Sequence, residues 1–150
     1  MSGISVKAVV IGFLIDFGGG LIAAFVYFVI YVVLLLAQGV PQAAIEGRIM
    51  ADKSHFVATM IMGFGFTAAG SYIAARIART RELMHAGIVG FMGIVTGLVL
   101  VSTADTSRWP SWYIPVSFSL TLPVAVLSGY IAQRRHRHID SSSAGSLTRA

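Results

Sequence analysis

A bundle of four membrane-spanning helices with both termini in the cytoplasm is the fold this sequence predicts, and three observations carry the prediction. Of 150 residues only 11% are charged and 56% are hydrophobic. An ordinary soluble domain has about 25% charged residues, so this chain has too few charges to coat a globule. Its apolar residues fall into four runs, each long enough to cross about 30 Å of hydrocarbon, which takes roughly 20 helical residues. Lys and Arg are divided unequally between the two ends those runs define.

The first span covers residues 8–37 and contains one charge, Asp16. It is longer than a crossing requires, so it tilts or begins at the interface. A signal-peptide core is only about 7–15 residues long and ends at a small-residue cleavage site. This run instead continues through Leu34, Leu35 and Leu36 and reads as a retained span. Gly39 and Pro41 stop the helix. Glu46, Arg48, Asp52 and Lys53 then bring charge. Residues 42–50 suit either a short helix on the membrane surface or a loop.

The second span covers residues 54–75, with Ser54 as its expected N-cap. The third covers 83–103, with His85 near its start. The fourth covers 112–133. Pro115 is acceptable in its first turn, where no helical N–H is lost, and Pro123 kinks the middle, where neighbouring helices satisfy the freed carbonyl. Residues 134–150 differ in kind: Arg134, Arg135 and Arg137 form a basic cluster before a Ser-rich stretch. With no apolar periodicity, this tail is expected to be disordered and cytoplasmic.

Lys7, Arg76, Arg79, Arg81, Arg134, Arg135, Arg137 and Arg149 fall on one side of this topology, and only Arg48, Lys53 and Arg108 on the other. The positive-inside rule places the richer side in the cytoplasm. Trp109, Trp112 and Tyr113 mark the opposite interface as an aromatic belt. The net charge of +5 is thereby explained by topology, and nucleic acid is not an expected partner. The expected partners are the lipid bilayer, anionic lipid at Arg134, Arg135 and Arg137, and a second copy or another membrane protein. The expected location is a bacterial inner membrane.

One echo runs through the chain. The second span ends Ser71-Tyr-Ile-Ala-Ala-Arg76 and the fourth ends Gly129-Tyr-Ile-Ala-Gln-Arg134. Duplication of a two-helix unit explains this, and so does convergence on Tyr as interface anchor and Arg as stop.

Asp16 leads the chemistry-bearing residues, because an ionisable side chain inside a span is costly and a functional candidate by default. At mid-membrane it costs about 2.5–3.5 kcal/mol on insertion scales. Two roles are open: a structural carboxylate paired with an Arg near the cytoplasmic headgroups, or a group that holds and releases a proton or cation. Gly18, Gly19 and Gly20 follow it and permit close helix packing or local unwinding. Gly87, Gly90, Gly93 and Gly97 give the third span a small-residue face, with small-x-x-x-small spacing at Gly93 and Gly97. Arg76, Glu82 and His85 lie near the same end, and with Asp16 they form a candidate polar cluster. Glu82 and His85 are one helical turn apart.

Cysteine is absent, which removes thiol nucleophiles, disulfides and Cys-ligated metal. The four histidines lack convergent ligands, so no metal or other cofactor is expected. No nucleophile-elbow, zinc-protease or phosphate-loop motif occurs. The expectation is a non-enzymatic integral membrane protein, self-associating as an accessory or structural subunit. The alternative is a small proton- or cation-coupled transporter using Asp16.

The strings Val10-Ile-Gly-Phe-Leu-Ile-Asp16-Phe-Gly-Gly19, Gly70-Ser-Tyr-Ile-Ala-Ala-Arg-Ile-Ala-Arg79 and Glu82-Leu-Met-His-Ala-Gly87 resemble those of small four-span bacterial membrane proteins of uncharacterised function. These carry Asp-x-Gly-Gly early in the first span, Gly-Gly-Tyr-x-Ala-x-Arg ending the second and His-Gly near the third. Ser71 and Ala86 interrupt two of those patterns here. The resemblance covers about the first two-thirds of the chain. It implies a bacterial inner membrane and no activity. A second likeness, to small multidrug-resistance transporters, is architectural: four spans and one first-span carboxylate, with Asp16 where those proteins have Glu.

Overall fold

The computed structural model describes the backbone of residues 3–147 and the side chains of residues 3–136. It is helical throughout, with no strand among the described residues. Four of its helices are long and apolar enough to cross a membrane: Val6–Ala37, Lys53–Ala78, Glu82–Thr103 and Tyr113–His136. The fold is the four-helix membrane bundle expected.

The first span is a composite. Helix α1 is Val6–Phe13, a π-helical turn covers Leu14–Gly19, and α2 is Gly20–Ala37. A π-turn widens the helix by one residue and is frequent at functional sites; this one contains Asp16. Gly39, at φ +80°, turns the chain out of α2 in a conformation glycine adopts at no steric cost. Next come a 3₁₀ turn at Gln42–Ala44 and α3 at Ile45–Ala51. The α3 residues Ile45 and Ile49 bury themselves against Leu35 at the end of α2.

Helix α4 is Lys53–Ala78. Its cap is Asp52 rather than Ser54: the Asp52 carboxylate accepts from the Ser54 N–H at 2.9 Å and from the Ser54 hydroxyl at 2.6 Å. A carboxylate also complements the positive end of the helix dipole. The turn into α5, Glu82–Thr103, is three residues long and holds Arg79 and Arg81 in the left-handed region, at φ 54° and 50°. That tight reversal sets α4 and α5 antiparallel.

Helix α6 runs Tyr113–Leu147 with Pro123 inside it. The described backbone carries this helix on to Leu147, through the basic cluster that starts at Arg134. Extending an existing helix adds one hydrogen bond per residue fixed, whereas nucleating one is costly, so a polar segment follows an anchored span cheaply. Residues 148–150 lie outside the described residues.

Helices α4, α5 and α6 pack pairwise as a triangle, and α1 lies in the groove between α4 and α5. Small residues set the spacing. A Cβ on Gly12 would stand 2.7 Å from both Ala74 Cβ and the Gly70 carbonyl. A Cβ on Gly129 would stand 2.5 Å from Ala86 Cβ. The repeated segments meet here: Ala75 and Ala132 join Ala86 in one buried cluster. Arg76 lies over Tyr72 at 5.8 Å and Arg134 over Tyr130 at 4.9 Å, so the two echoes share a local cation–π arrangement.

The bundle has two unlike ends. The basic end carries Ser5, the Arg79–Arg81 turn and His136. The aromatic end carries Phe56, Trp109 and Tyr113 in mutual ring contact at 5.2–6.4 Å.

Candidate functional site

Asp16 sits at mid-bundle. Its neighbours are Gly70 and Thr67 on α4 and Gly93 on α5, and Gly93 is at the midpoint of Glu82–Thr103. The side chain is 8% exposed. The Thr67 hydroxyl donates to its Oδ1 at 2.8 Å, while Oδ2 is buried and has no hydrogen-bond partner. The expected pairing with an arginine is not found among the described residues.

The proposed polar cluster separates into four. Asp16 pairs with Thr67. His85 is fully buried and lies about 12 Å further toward the basic end, eight residues from Gly93 at 1.5 Å each. Its Nε2 accepts the Ser5 N–H at 2.8 Å and its Nδ1 lies 3.0 Å from the Arg81 carbonyl. Those partners define one neutral tautomer, with the proton on Nδ1. The result is a staple between the start of α1 and the start of α5. Glu82 is 5% exposed and meets His136 Nδ1 at 2.6 Å, joining α5 to α6. Arg76 is exposed and faces Tyr72.

The glycines also divide. Gly90 and Gly97 face α6, where added Cβ atoms would meet Ala125 at 2.5 Å and Phe118 at 3.0 Å. A Cβ on Gly93 would stand 3.2 Å from Asp16 Oδ2. Gly90, Gly93 and Gly97 of the third-span face are thus used inside the chain. Gly19 and Gly20 face Phe66, whereas Gly18 and Gly87 have open space.

Beyond the π-turn, α2 packs lightly on α4 and leaves α5 and α6. The space it vacates is a partly open cavity of about 350 Å³. Asp16 and Thr67 line its deep part. Ser117 and Thr121 line the α6 wall, and Thr59 and Tyr113 lie toward the aromatic end, 3.4 Å apart. Met60, Met62, Phe17, Phe64, Leu21 and Leu100 supply apolar wall. The Ser117 hydroxyl is a second buried polar atom without a partner. Buried polar groups are nearly always satisfied, so two orphans on one cavity point to something that occupies it. Thr67, Ser117 and Thr121 were missed from sequence. Their signal is a hydroxyl inside an apolar run, a weak one because such hydroxyls also bond back to their own helix, as Thr121 does to the Ser117 carbonyl at 2.7 Å.

The aromatic end is braced by a separate network. Tyr31 donates to Asp52, His55 stacks on Tyr27 and Tyr31 at 5.6 and 5.3 Å, and Arg108 pairs with Glu46 at 3.0 Å. Hydrogen bonds from Ser54 and then Tyr31 hold the Asp52 carboxyl down at about 2.

No protein-family model, curated protein or solved structure matches this chain.

Proposed function

We propose that this chain is a small, non-enzymatic carrier of the bacterial inner membrane that exchanges a proton or cation at Asp16, with both termini cytoplasmic. One observation carries the reading: a mid-bundle aspartate that lines a cavity and has one buried carboxylate oxygen without a hydrogen-bond partner. A buried carboxylate with one neutral hydrogen bond is poorly compensated when charged, so it favours either a proton or a cationic partner. Close packing of Gly12, Gly70, Ala74 and Val89 lies on the basic side of the site, and the cavity lies on the other. That is the asymmetry of one state of an alternating-access cycle. The Lys and Arg bias orients the basic end to the cytoplasm, and the resemblance to small bacterial four-span proteins suits the location.

The test is flux in proteoliposomes. Wild-type protein should dissipate an imposed pH gradient or take up cation faster than empty vesicles, and Asp16→Asn should return the rate to background. Equal rates for the two proteins would end the reading.

Self-association as an accessory subunit is the second reading, favoured by the open space at Gly18 and Gly87. Gly87→Ile should then reduce the oligomer mass in nanodiscs. A monomeric wild type would remove it.

A further inference from the structure

We propose that the polar pocket between the end of α2 and α3 is a phospholipid site that holds a phosphoethanolamine headgroup, with Arg48 on the phosphate and Asp52 on the ammonium. It is separate from the Asp16 cavity and does not rest on the carrier reading. Tyr31, Leu35 and Gln38 line it from one face of α2, and Arg48, Ala51 and Asp52 line it from α3 and the hinge into α4. Its volume is about 410 Å³, within the ~300–1,000 Å³ range of small-ligand sites.

The first argument is charge. Arg48 and Asp52 stand four residues apart, the spacing at which helical residues of opposite sign pair. They do not pair: among the described residues the ion pairs are Arg108–Glu46 and His136–Glu82. Helix α3 ends at Ala51, and Asp52 is extended, so its carboxylate turns to Ser54 and Tyr31 instead. The pocket wall thus presents a cation and an anion held apart, which suits a zwitterion with a short link between its charges. The planar fork of Arg48 matches a phosphate. Asp52 Oδ2 accepts from Tyr31 and keeps a lone pair for a primary ammonium, whose remaining donors the Gln38 amide oxygen accepts.

The second argument is level. The pocket lies at the end of a membrane span, beside the stacked rings of Tyr27, Tyr31 and His55. Such rings mark headgroup depth. A row of exposed apolar residues leads away from it along α2: Leu34 neighbours Tyr31 and Gln38 on the helix surface, and Ile30 and Val26 continue at four-residue steps. Eight residues from Val26 to Leu34 make about 12 Å of helix. That row takes an acyl chain, which marks the occupant as a lipid rather than a soluble aminophosphate. Phosphocholine fits less well. Its quaternary ammonium donates no hydrogen bond and is recognised by an aromatic cage, whereas the wall offers the ring of Tyr31 alone among the described residues.

The experiment is native mass spectrometry of the delipidated full-length protein in detergent. It is titrated with phosphatidylethanolamine, with phosphatidylcholine of the same acyl chains, and with soluble glycerophosphoethanolamine. The first phosphatidylethanolamine should bind at least about fivefold more tightly than the first phosphatidylcholine, and glycerophosphoethanolamine should not bind. Arg48→Gln and Asp52→Asn should each remove that preference. Arg108→Gln, at the same end but already paired with Glu46, should leave it intact. Asparagine also caps a helix, so Asp52→Asn keeps the fold. Arg48 is exposed, and its variant decides the matter should Asp52→Asn fail to fold. Equal affinity for the two lipids, or a preference that survives both substitutions in folded protein, overturns the proposal. Glycerophosphoethanolamine binding as tightly as the lipid overturns the lipid and assigns the pocket to a soluble aminophosphate.

Discussion

The two halves of the first span teach opposite lessons. In α1 the buried residues are Ala8, Val9 and Gly12, and Gly12 brings backbone against backbone at Gly70 of α4. In α2, Leu21, Ile22, Phe25 and Ile30 are large and exposed. Between the halves sits the π-turn with Asp16. A contact face built on Gly12 and Ala8 separates a sealed half from an open one, because a membrane gives little hydrophobic reason for helices to associate and leaves packing to decide.

The largest effect should come from breaking the sealed half. A Cβ on Gly70 would meet the Gly12 carbonyl and stand 2.9 Å from Asp16 Cβ. Gly70→Leu should cost at least about 3 kcal/mol, the upper range for overpacking, and abolish accumulation of folded protein. Gly65→Leu, on the same helix but facing open space, should stay within about 0.5 kcal/mol. Thermal unfolding in detergent separates the two.

Asp16→Leu sharpens the comparison in the other direction. Removing a carboxylate from mid-membrane recovers up to about 3 kcal/mol of insertion cost. The variant should therefore melt at or above the wild-type temperature while losing flux. Thr67→Val removes the one partner of Oδ1 and should cost about 0.6–1.7 kcal/mol, the range of side-chain hydrogen bonds between membrane helices.

A smaller effect is expected at the aromatic end. Asp52→Ala removes a helix cap and should cost about 1 kcal/mol. Since the Asp52 carboxyl is held below its ordinary value of 3.8, its contribution is full above that value and disappears as the pH falls through about 2. An acid titration of melting temperature should show a step there that Asp52→Ala lacks. The smallest effect is at the C-terminus. Deleting residues 140–150 should leave the melting temperature unchanged, because among the described residues Ala132, Arg135 and His136 make the bundle contacts at that end.

The spans were legible because apolar runs and charge placement are written along the chain. Asp16 was legible as an ionisable group in the wrong solvent. Its depth was not: that depends on how α1 seats against α4 and α5, which no residue pattern announces. Nor was the choice of Thr67 over Arg76 as its partner, because which face of α4 meets α1 is decided by the Gly12–Gly70 approach. His85 read as a member of one polar cluster, and the fold uses it as a buried staple. The cavity was invisible for the same reason. It is space left by α2, and space has no sequence.

Natural absence of cysteine makes the decisive measurement clean. Ser117→Cys places the only thiol on the cavity wall, and Asp105→Cys places one in the loop at the aromatic end. A membrane-impermeant cationic thiol reagent, applied from that side to intact vesicles, reacts with thiolate and so reports water and access. A cavity that exposes Asp16 to that side predicts labelling of both variants, with Ser117→Cys slowed when Asp16 is also changed to Asn and the attraction for the cationic reagent is gone. Labelling of Asp105→Cys alone, with Ser117→Cys inert from either side, would contradict the account.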